Sequence, residues 1–347
     1  MRKSSIFTAV AFSAALAVVI PGIAYASTMT SVTVQTPGAS SGPSGADTEL
    51  LTDADCASGA LVSGGGVKLT IGTGMASHGV HVMGTEPSTS ASSESTGNDM
   101  THWLGIAGTG AGGSGSYTTQ PFAVCFTSNT ITHTQAVTST VNGPSGTDGT
   151  KFTLATCPSG TRLLGGGVRS KLTSNGSVKA IASYPTFNNP TYDNGLIAAT
   201  AGDSNPDSWA VVALNGGGTG TGDTTTAYAV CSGANIDVSG VTVTVQHSSA
   251  AGPTSGSQTT PTVNTCGTGQ NMISGGASIS GGDPTSSDFT APGSQGDHLI
   301  GSYPSDSSGN TVSDGTTNAG YWSAGTDTGG AGSPTGTQTD VWALCVA

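Results

Sequence analysis

Charged residues are scarce in this chain, and positively charged ones are the scarcest. Lys, Arg, Asp and Glu make up 8% of the 347 residues, with eight Lys and Arg against twenty Asp and Glu. Two of the eight cations, Arg2 and Lys3, stand at the N-terminus, and no Lys or Arg follows Lys179. Binding to phosphates or to an anionic membrane surface needs clustered cations. The composition therefore predicts that neither nucleic acid nor acidic lipid is a partner.

Long apolar segments are missing too, with one exception near the N-terminus. The run from Ile6 to Ile20 follows the basic residues Arg2 and Lys3 and precedes the small-residue site Ala24-Tyr25-Ala26. It is shorter than a bilayer span, and its layout is typical of a secretory signal peptide. We predict a signal peptide at residues 1–26 and a secreted, extracellular or cell-surface protein with no membrane contact after cleavage.

The six cysteines fall into three pairs that share one frame. Cys56, Cys157 and Cys266 are each followed by a Gly at the third position and by a Gly pair at the ninth and tenth. Further aligned positions are the segments 81–87, 179–185 and 298–304, the residues Trp103, Trp209 and Trp322, and the aromatics Phe122, Tyr228 and Trp342. Self-similarity at a fixed period is the signature of a repeat protein. We predict repeat modules at 28–126, 127–232 and 233–347.

The repeat also predicts how the cysteines pair. An even number of cysteines in an exported chain indicates disulfides, and six cysteines allow 15 connectivities. The module boundaries select one of these connectivities: Cys56 with Cys125, Cys157 with Cys231, and Cys266 with Cys345. The alternative is a zinc site, but the chain has no closely spaced Cys-x-x-Cys pair. We predict one disulfide inside each module and no metal.

Strand-like patterns dominate between the glycines. Ser31-Val-Thr-Val-Gln35 and Val241-Thr-Val-Thr-Val-Gln246 alternate apolar and polar residues, as half-buried strands do, and Thr132 to Gln135 is a degenerate copy. The stretches 88–100, 187–207 and 281–296 are rich in turn residues and predict loops. We expect an all-β protein with three β-sandwich-like modules in a row; the alternative is a single three-fold β assembly.

Three other patterns suggest chemistry, and each has a simpler structural interpretation. The Gly triplets lack the Lys-Ser or Lys-Thr of a phosphate loop, so a strand bulge or close backbone approach is favoured. His78, His81 and His102 form the one His cluster, but Lys179 and His298 align with His81, which favours a shared structural role. The third-module carboxylates are expected to be solvated loop charges: Asp283, Asp288, Asp297, Asp306, Asp314, Asp327 and Asp340.

The aromatic residues are the best candidates for binding a ligand, because they are scarce and recur in register. Trp103, Trp209 and Trp322, with Tyr184 and Tyr303, could form platforms on which sugar rings stack. For the tryptophans we favour the alternative that each fills the core of its module. We expect the Tyr-Pro pairs to reach a surface, although the first module has Glu86 in place of the tyrosine.

The frame Cys-Pro-x-Gly, Gly-Gly-Gly, Ser-Tyr-Pro, Trp and Tyr-Ala-Val-Cys, complete between Cys157 and Cys231, resembles a module that recurs in uncharacterised secreted proteins of actinobacteria and other soil bacteria. The resemblance covers nearly the whole mature chain. The first module departs from the frame at the tyrosine and the third at the leading proline. The resemblance implies an extracellular location and a β-rich module, and it implies no activity.

No catalytic constellation, cofactor motif or metal-ligand spacing stands out from these patterns. We therefore expect a secreted, non-catalytic repeat protein with an extracellular structural or adhesive role at or near the cell surface. The alternative is a carbohydrate-binding, lectin-like protein, and an extracellular hydrolase is less favoured. The expected partners are cell-wall or extracellular polysaccharide, or further copies of the chain.

Overall fold

A computed structural model describes residues 29–72, 78–110, 116–146, 149–171, 178–217, 222–254, 258–293, 296–329 and 336–347. The predicted signal peptide lies outside these ranges. Within them the regular structure is mainly β-strand, which confirms the all-β class, and a 3-10 helix lies at Pro190–Gly195. In the part of the chain described, no helix is long and apolar enough to cross a membrane.

Each module folds into two layers of strands. In module 1 the first layer is β1 (Ser31–Gln35), β2 (Ser40–Ser41), β7 (Thr118–Thr127) and β4 (Leu61–Thr70), and the second is β3 (Glu49–Asp55), β6 (His102–Thr109) and β5 (Val80–Ser88). In module 2 they are β8 (Thr134–Asn142), β13 (Thr224–Ser232) and β10 (Leu163–Lys171), then β9 (Thr150–Thr156), β12 (Ser208–Asn215) and β11 (Val178–Thr186). In module 3 they are β14 (Val243–Ala251), β20 (Gln338–Val346) and β16 (Asn271–Ser280), then β15 (Thr262–Thr265), β19 (Tyr321–Thr328) and β17 (Asp297–Ser305).

The three disulfides have the predicted connectivity, Cys56 with Cys125, Cys157 with Cys231, and Cys266 with Cys345. In each module one cysteine follows the outer strand of the second layer, and the other lies in the central strand of the first layer. Each disulfide therefore joins the two layers of its own sandwich. Their presence indicates an extracellular or otherwise oxidising environment.

The sandwiches are joined to each other through their sheets. Strand β5 of module 1 pairs with β10 of module 2, β11 of module 2 pairs with β16 of module 3, and β17 of module 3 pairs with β4 of module 1. We call these contacts junctions 1/2, 2/3 and 3/1. The three pairings close a ring, which corrects the expectation of sandwiches in a row. The modules are sandwiches, as predicted, and together they form the alternative arrangement, a single three-fold assembly.

A loop from each module also pairs with the first strand of the next module. Ala136 N donates to Gly97 O at 2.9 Å across junction 1/2, and Val245 N donates to Asp203 O at 2.8 Å across junction 2/3. Across junction 3/1 the short strand β18 (Thr316–Thr317) pairs with β1. The degenerate copy of the first strand, expected near Thr132 to Gln135, is strand β8. These loops therefore bind each module to its neighbour.

The two glycine triplets and the matching Ser-Gly-Gly segment at 274–276 lie where the three modules meet. They belong to β4, β10 and β16, which contact each other, and the pairing of each strand with its neighbour shifts register just before the segment. Ser63 Oγ donates to Ile273 O at 2.7 Å, and a Cβ at Gly64 or Gly165 would collide with Ser274. The expected bulge and close backbone approach are confirmed, and glycine is required because side chains would separate the strands.

Candidate functional site

The three aligned tryptophans are core residues. Trp103, Trp209 and Trp322 are completely buried, and each packs on the middle glycine position of the opposite layer, where a Cβ would collide with the indole ring. Each indole Nε1 donates to a hydroxyl, on Thr85 at 2.7 Å, Ser183 at 2.8 Å and Ser302 at 2.9 Å. No ring face is left for a sugar, so the core interpretation fits them and the platform interpretation does not.

The two tyrosines are buried as well, which corrects the expectation that the Tyr-Pro pairs reach a surface. Tyr184 is 0% exposed and Tyr303 is 1% exposed. Tyr184 OH donates to Gly195 O at 3.2 Å, and Tyr303 OH donates to Gly309 O at 2.9 Å. Burial raises the pKa of both phenols. Neither side chain can serve as an open stacking platform.

The two tyrosines instead pack against the next module around the ring. Each contacts the aromatic residue that stands three residues before the second cysteine of that module. Tyr303 stacks on Phe122 with ring centroids 6.0 Å apart at junction 3/1. Tyr184 packs on Trp342 at 5.5 Å at junction 2/3. The repeat alignment marks both positions, but it does not show that they meet between modules.

Junction 1/2 holds a charged version of the same contact. Glu86 replaces the tyrosine and lies beside Tyr228, and its carboxylate oxygens are buried. Burial is the main cause that raises the pKa of Glu86 to about 7, and the nearby Arg169 opposes it. Arg169 in turn is held by Glu49, with Nη2 and Oε2 2.8 Å apart, and by Glu94. The carboxylates of module 1 therefore enclose the cation of module 2.

Junction 2/3 is closed by apolar and hydroxyl groups. Tyr184 stacks on Phe289 at 6.1 Å and also packs on Trp342, with the two ring planes tilted by 32°. The residue that aligns with Arg169 is Ser278, whose hydroxyl donates to Asp340 Oδ2 at 3.0 Å. Side chains of the protein thus occupy this junction.

Junction 3/1 contains an open cavity of about 380 Å³. Its lining comprises Lys68, Leu69, Gln258, Thr259, Thr260, Pro261, Ile300, Tyr303 and Gly325. Lys68 aligns with Arg169, and its Nζ lies 5.0 Å from the centroid of the Tyr303 ring. Burial lowers the pKa of Lys68, and the charge of Asp306 opposes that shift. Sequence reasoning missed this site, because its lining comes from two modules.

The residues aligned with His81 meet in the interior, where β5, β11 and β17 contact each other. His81 and His298 have ring centroids 5.9 Å apart, and both rings and Lys179 are buried. Their Nδ1 atoms lie within hydrogen-bond distance of the backbone carbonyls of Gly79 and Gly296, and His298 Nε2 lies 3.9 Å from Asp327 Oδ2. Burial first, and the Lys179 charge second, lower the pKa of His81 to about 3 and hold that of His298 well below its usual range.

The other histidines of the predicted cluster lie elsewhere. His78 Nδ1 is 2.8 Å from Asp327, and His102 Nδ1 is 3.1 Å from Asp53. Across the described ranges, no group of three or more His, Cys, Asp or Glu side chains is arranged to hold a metal ion. The cluster of His78, His81 and His102 is therefore not assembled into one site, in line with a shared structural role for His81.

The third-module carboxylates divide into two groups. Four are exposed in loops as expected: Asp283, Asp288, Asp306 and Asp314. The other three, Asp297, Asp327 and Asp340, are fully buried in strands, which corrects the expectation of solvated charges. Asp340 accepts from Ser278 and Ser280, and Asp327 pairs with His78. They are part of the polar interior of the assembly.

The fold and its junctions define a class: a disulfide-stabilised ring of three fused β-sandwiches. No protein-family model matches the chain, and no curated protein matches it.

Proposed function

We propose that this is a secreted, non-catalytic protein with a structural or adhesive role in the extracellular space at or near the cell surface. The inference of an extracellular or otherwise oxidising environment rests on the three disulfides. Secretion itself rests on the N-terminal sequence, which has the layout of a signal peptide. N-terminal sequencing of the exported protein is expected to begin at Ser27. A mature chain that retains Met1, or a protein kept inside the cell, would contradict this.

The observation that carries the structural role is the edge strand β8. It is nine residues long, contains no charged residue, and pairs with β13 along its whole length on one side. On its other side the described part of the module 1 loop pairs with its start, through Thr134, Gln135 and Ala136. From Val137 to Asn142 the described residues supply no further backbone partner on that side. Long, uncharged edges of this kind pair with other chains.

Self-association through this edge would give the multivalency that a structural or adhesive protein needs. Thr138 is exposed near the middle of β8, where a lysine would oppose pairing with a second strand. We expect the wild-type chain to form oligomers or layers, seen by sedimentation velocity and electron microscopy. Thr138→Lys is expected to reduce them, whereas Ser58→Lys, which adds the same charge in an exposed turn, is expected to leave them intact.

The outcomes separate the alternatives. A wild-type chain that stays monomeric at all concentrations and forms no layers would contradict the structural proposal. Equal effects of the two lysine variants would show that charge, and not the β8 edge, controls association. Reproducible turnover of a polysaccharide or peptide library would replace the proposal with an enzymatic one. The lectin-like alternative no longer has support from the tryptophans and tyrosines, and what remains of it is the cavity at junction 3/1.

A further inference from the structure

The three junctions are equivalent by sequence, but their occupants differ. Lys68 stands twelve residues after Cys56, and Arg169 stands twelve residues after Cys157. Glu49 pairs with Gly108, five residues after Trp103, and Gln258 pairs with Asp327, five residues after Trp322. At junction 1/2 the cation Arg169 therefore meets Glu49, whereas at junction 3/1 the cation Lys68 and the aligned Gln258 both line the cavity.

This replacement leaves Lys68 without a carboxylate contact. Arg169 has two, Glu49 and Glu94, both from the preceding module. Among the described residues no carboxylate lies within 4 Å of Lys68, and Asp306 acts on it only at longer range while its own oxygens accept from Asn310 and from Ser308 N. A half-buried ammonium that aligns with a paired guanidinium is a binding position for an anion.

The cavity around Lys68 has room and chemistry for more than an inorganic ion. Its volume of about 380 Å³ lies in the range of small-molecule sites. Leu69, Pro261 and Ile300 supply apolar walls, and the side chains of Gln258 and Thr260 are exposed at its lining with hydrogen-bonding capacity. An apolar face, several hydroxyls and one carboxylate are the features of an acidic sugar.

We propose that the cavity at junction 3/1 binds a uronic-acid residue of an extracellular polysaccharide, with its carboxylate on Lys68 in the place that the Glu49 carboxylate takes on Arg169. The sugar ring lies between the apolar walls, and its hydroxyls bond to Gln258 and Thr260. Among the described residues, the positions aligned with Lys68 at the other two junctions hold Arg169, paired with Glu49, and Ser278, bonded to Asp340. The proposed site does not depend on self-association through β8.

The test uses the full mature chain and measures binding of methyl glucuronide and of an oligogalacturonide by calorimetry or by NMR titration. Both are expected to bind, and neutral methyl glucoside is expected to bind at least tenfold more weakly. Lys68→Gln is expected to weaken binding of the acidic sugars by tenfold or more. Lys151→Gln removes an exposed lysine outside the cavity lining and serves as the matched control.

A second variant distinguishes loss of the site from loss of the fold. Gln258→Glu places a carboxylate at the strand position that Glu49 has in module 1, so it should pair with Lys68, fill the cavity and abolish sugar binding. The same ion pair should keep or raise the unfolding temperature, so a stable but non-binding variant supports the proposal. Equal affinity for N-acetylalanine would show that a carboxylate alone is recognised and would overturn the sugar assignment. Binding that survives Lys68→Gln or Gln258→Glu would overturn the site.

Discussion

Glu49 Oε2 lies 2.8 Å from Arg169 Nη2, although the two residues are 120 positions apart and belong to different modules. The Arg169 side chain is almost completely buried, and Glu94 and Glu86 lie near it. Because a buried cation is tolerated only when carboxylates compensate it, this contact ties the fold of module 1 to that of module 2. The ring is therefore held by charge at one junction and by aromatic packing at the other two.

The first prediction concerns removal of that cation. Arg169→Gln leaves Glu49, Glu86 and Glu94 close together with only the half-exposed Lys171 beside them, and we expect a loss of about 3–5 kcal/mol in the free energy of unfolding. Lys171→Gln breaks only a half-exposed pair with Glu94 and should cost less than about 1 kcal/mol. Denaturant unfolding with the disulfides intact measures both. Similar losses in the two variants would contradict the role assigned to burial.

A second prediction follows from Glu86. Its pKa is raised from 4.5 in the unfolded chain to about 7 in the fold, so ionisation opposes folding. Below about pH 4.5 Glu86 is protonated in both the folded and the unfolded chain, so it does not lower stability. As the pH rises from about 4.5 to 7, the unfolded chain loses this proton first and the free energy of unfolding falls. Above about pH 7 Glu86 causes no further change. The shift corresponds to about 3 kcal/mol. Glu86→Gln should therefore be more stable than wild type at pH 8 and similar at pH 4, as measured by unfolding at both pH values.

The buried histidines give the opposite dependence on pH. The pKa of His81 is lowered from 6.5 to about 3, so the neutral ring is favoured in the fold. Its contribution to stability is complete above pH 6.5 and is lost as the pH falls from 6.5 toward 3, by about 1.4 kcal/mol per pH unit. His81→Gln in a Glu86→Gln background should reduce this acid slope, and the part that remains is expected to come from His298, whose pKa is also lowered by burial. An unchanged slope in that double variant would place the acid sensitivity elsewhere.

The packing of Trp103 on Gly65 gives a fourth prediction. A Cβ at Gly65 would collide with the indole ring and with the backbone carbonyl of Phe122, and neither can move without separating the layers. We expect Gly65→Ala to cost about 3 kcal/mol or more, at the upper end for overpacked cores. Gly240→Ala, where a Cβ meets no atom within 4 Å, is the control and should change stability by less than about 0.5 kcal/mol. Thermal unfolding of the two variants compares them directly.

Much of the local organisation is readable from the order of residues. The alternation of apolar and polar residues predicts strands because it suits a pleated sheet with one buried face, and β1 at Ser31–Gln35 has the predicted bounds. The repeated frame predicts the three disulfides, since only one of the possible connectivities treats every module alike. It also marks the Gly triplets and the tryptophans, although not the contact between them.

Other features depend on contacts between modules, which no local pattern encodes. Tyr184 and Tyr303 carry a polar group and precede prolines, which predicts exposure, but the neighbouring module covers them. Three aspartates are predicted to be solvated charges in loops, but the structure buries them in strands with partners from other strands: Asp297, Asp327 and Asp340.

The sequence by itself determined the all-β class, the three modules and the disulfide within each module, because these rest on short-range periodicity and on a pattern repeated within one chain. The tertiary structure alone decided that the modules close into a ring, and that Arg169 is paired while Lys68 is left open. The physical reason is that both outcomes depend on which residue of one module faces the next, and that pairing is fixed only when the sheets join.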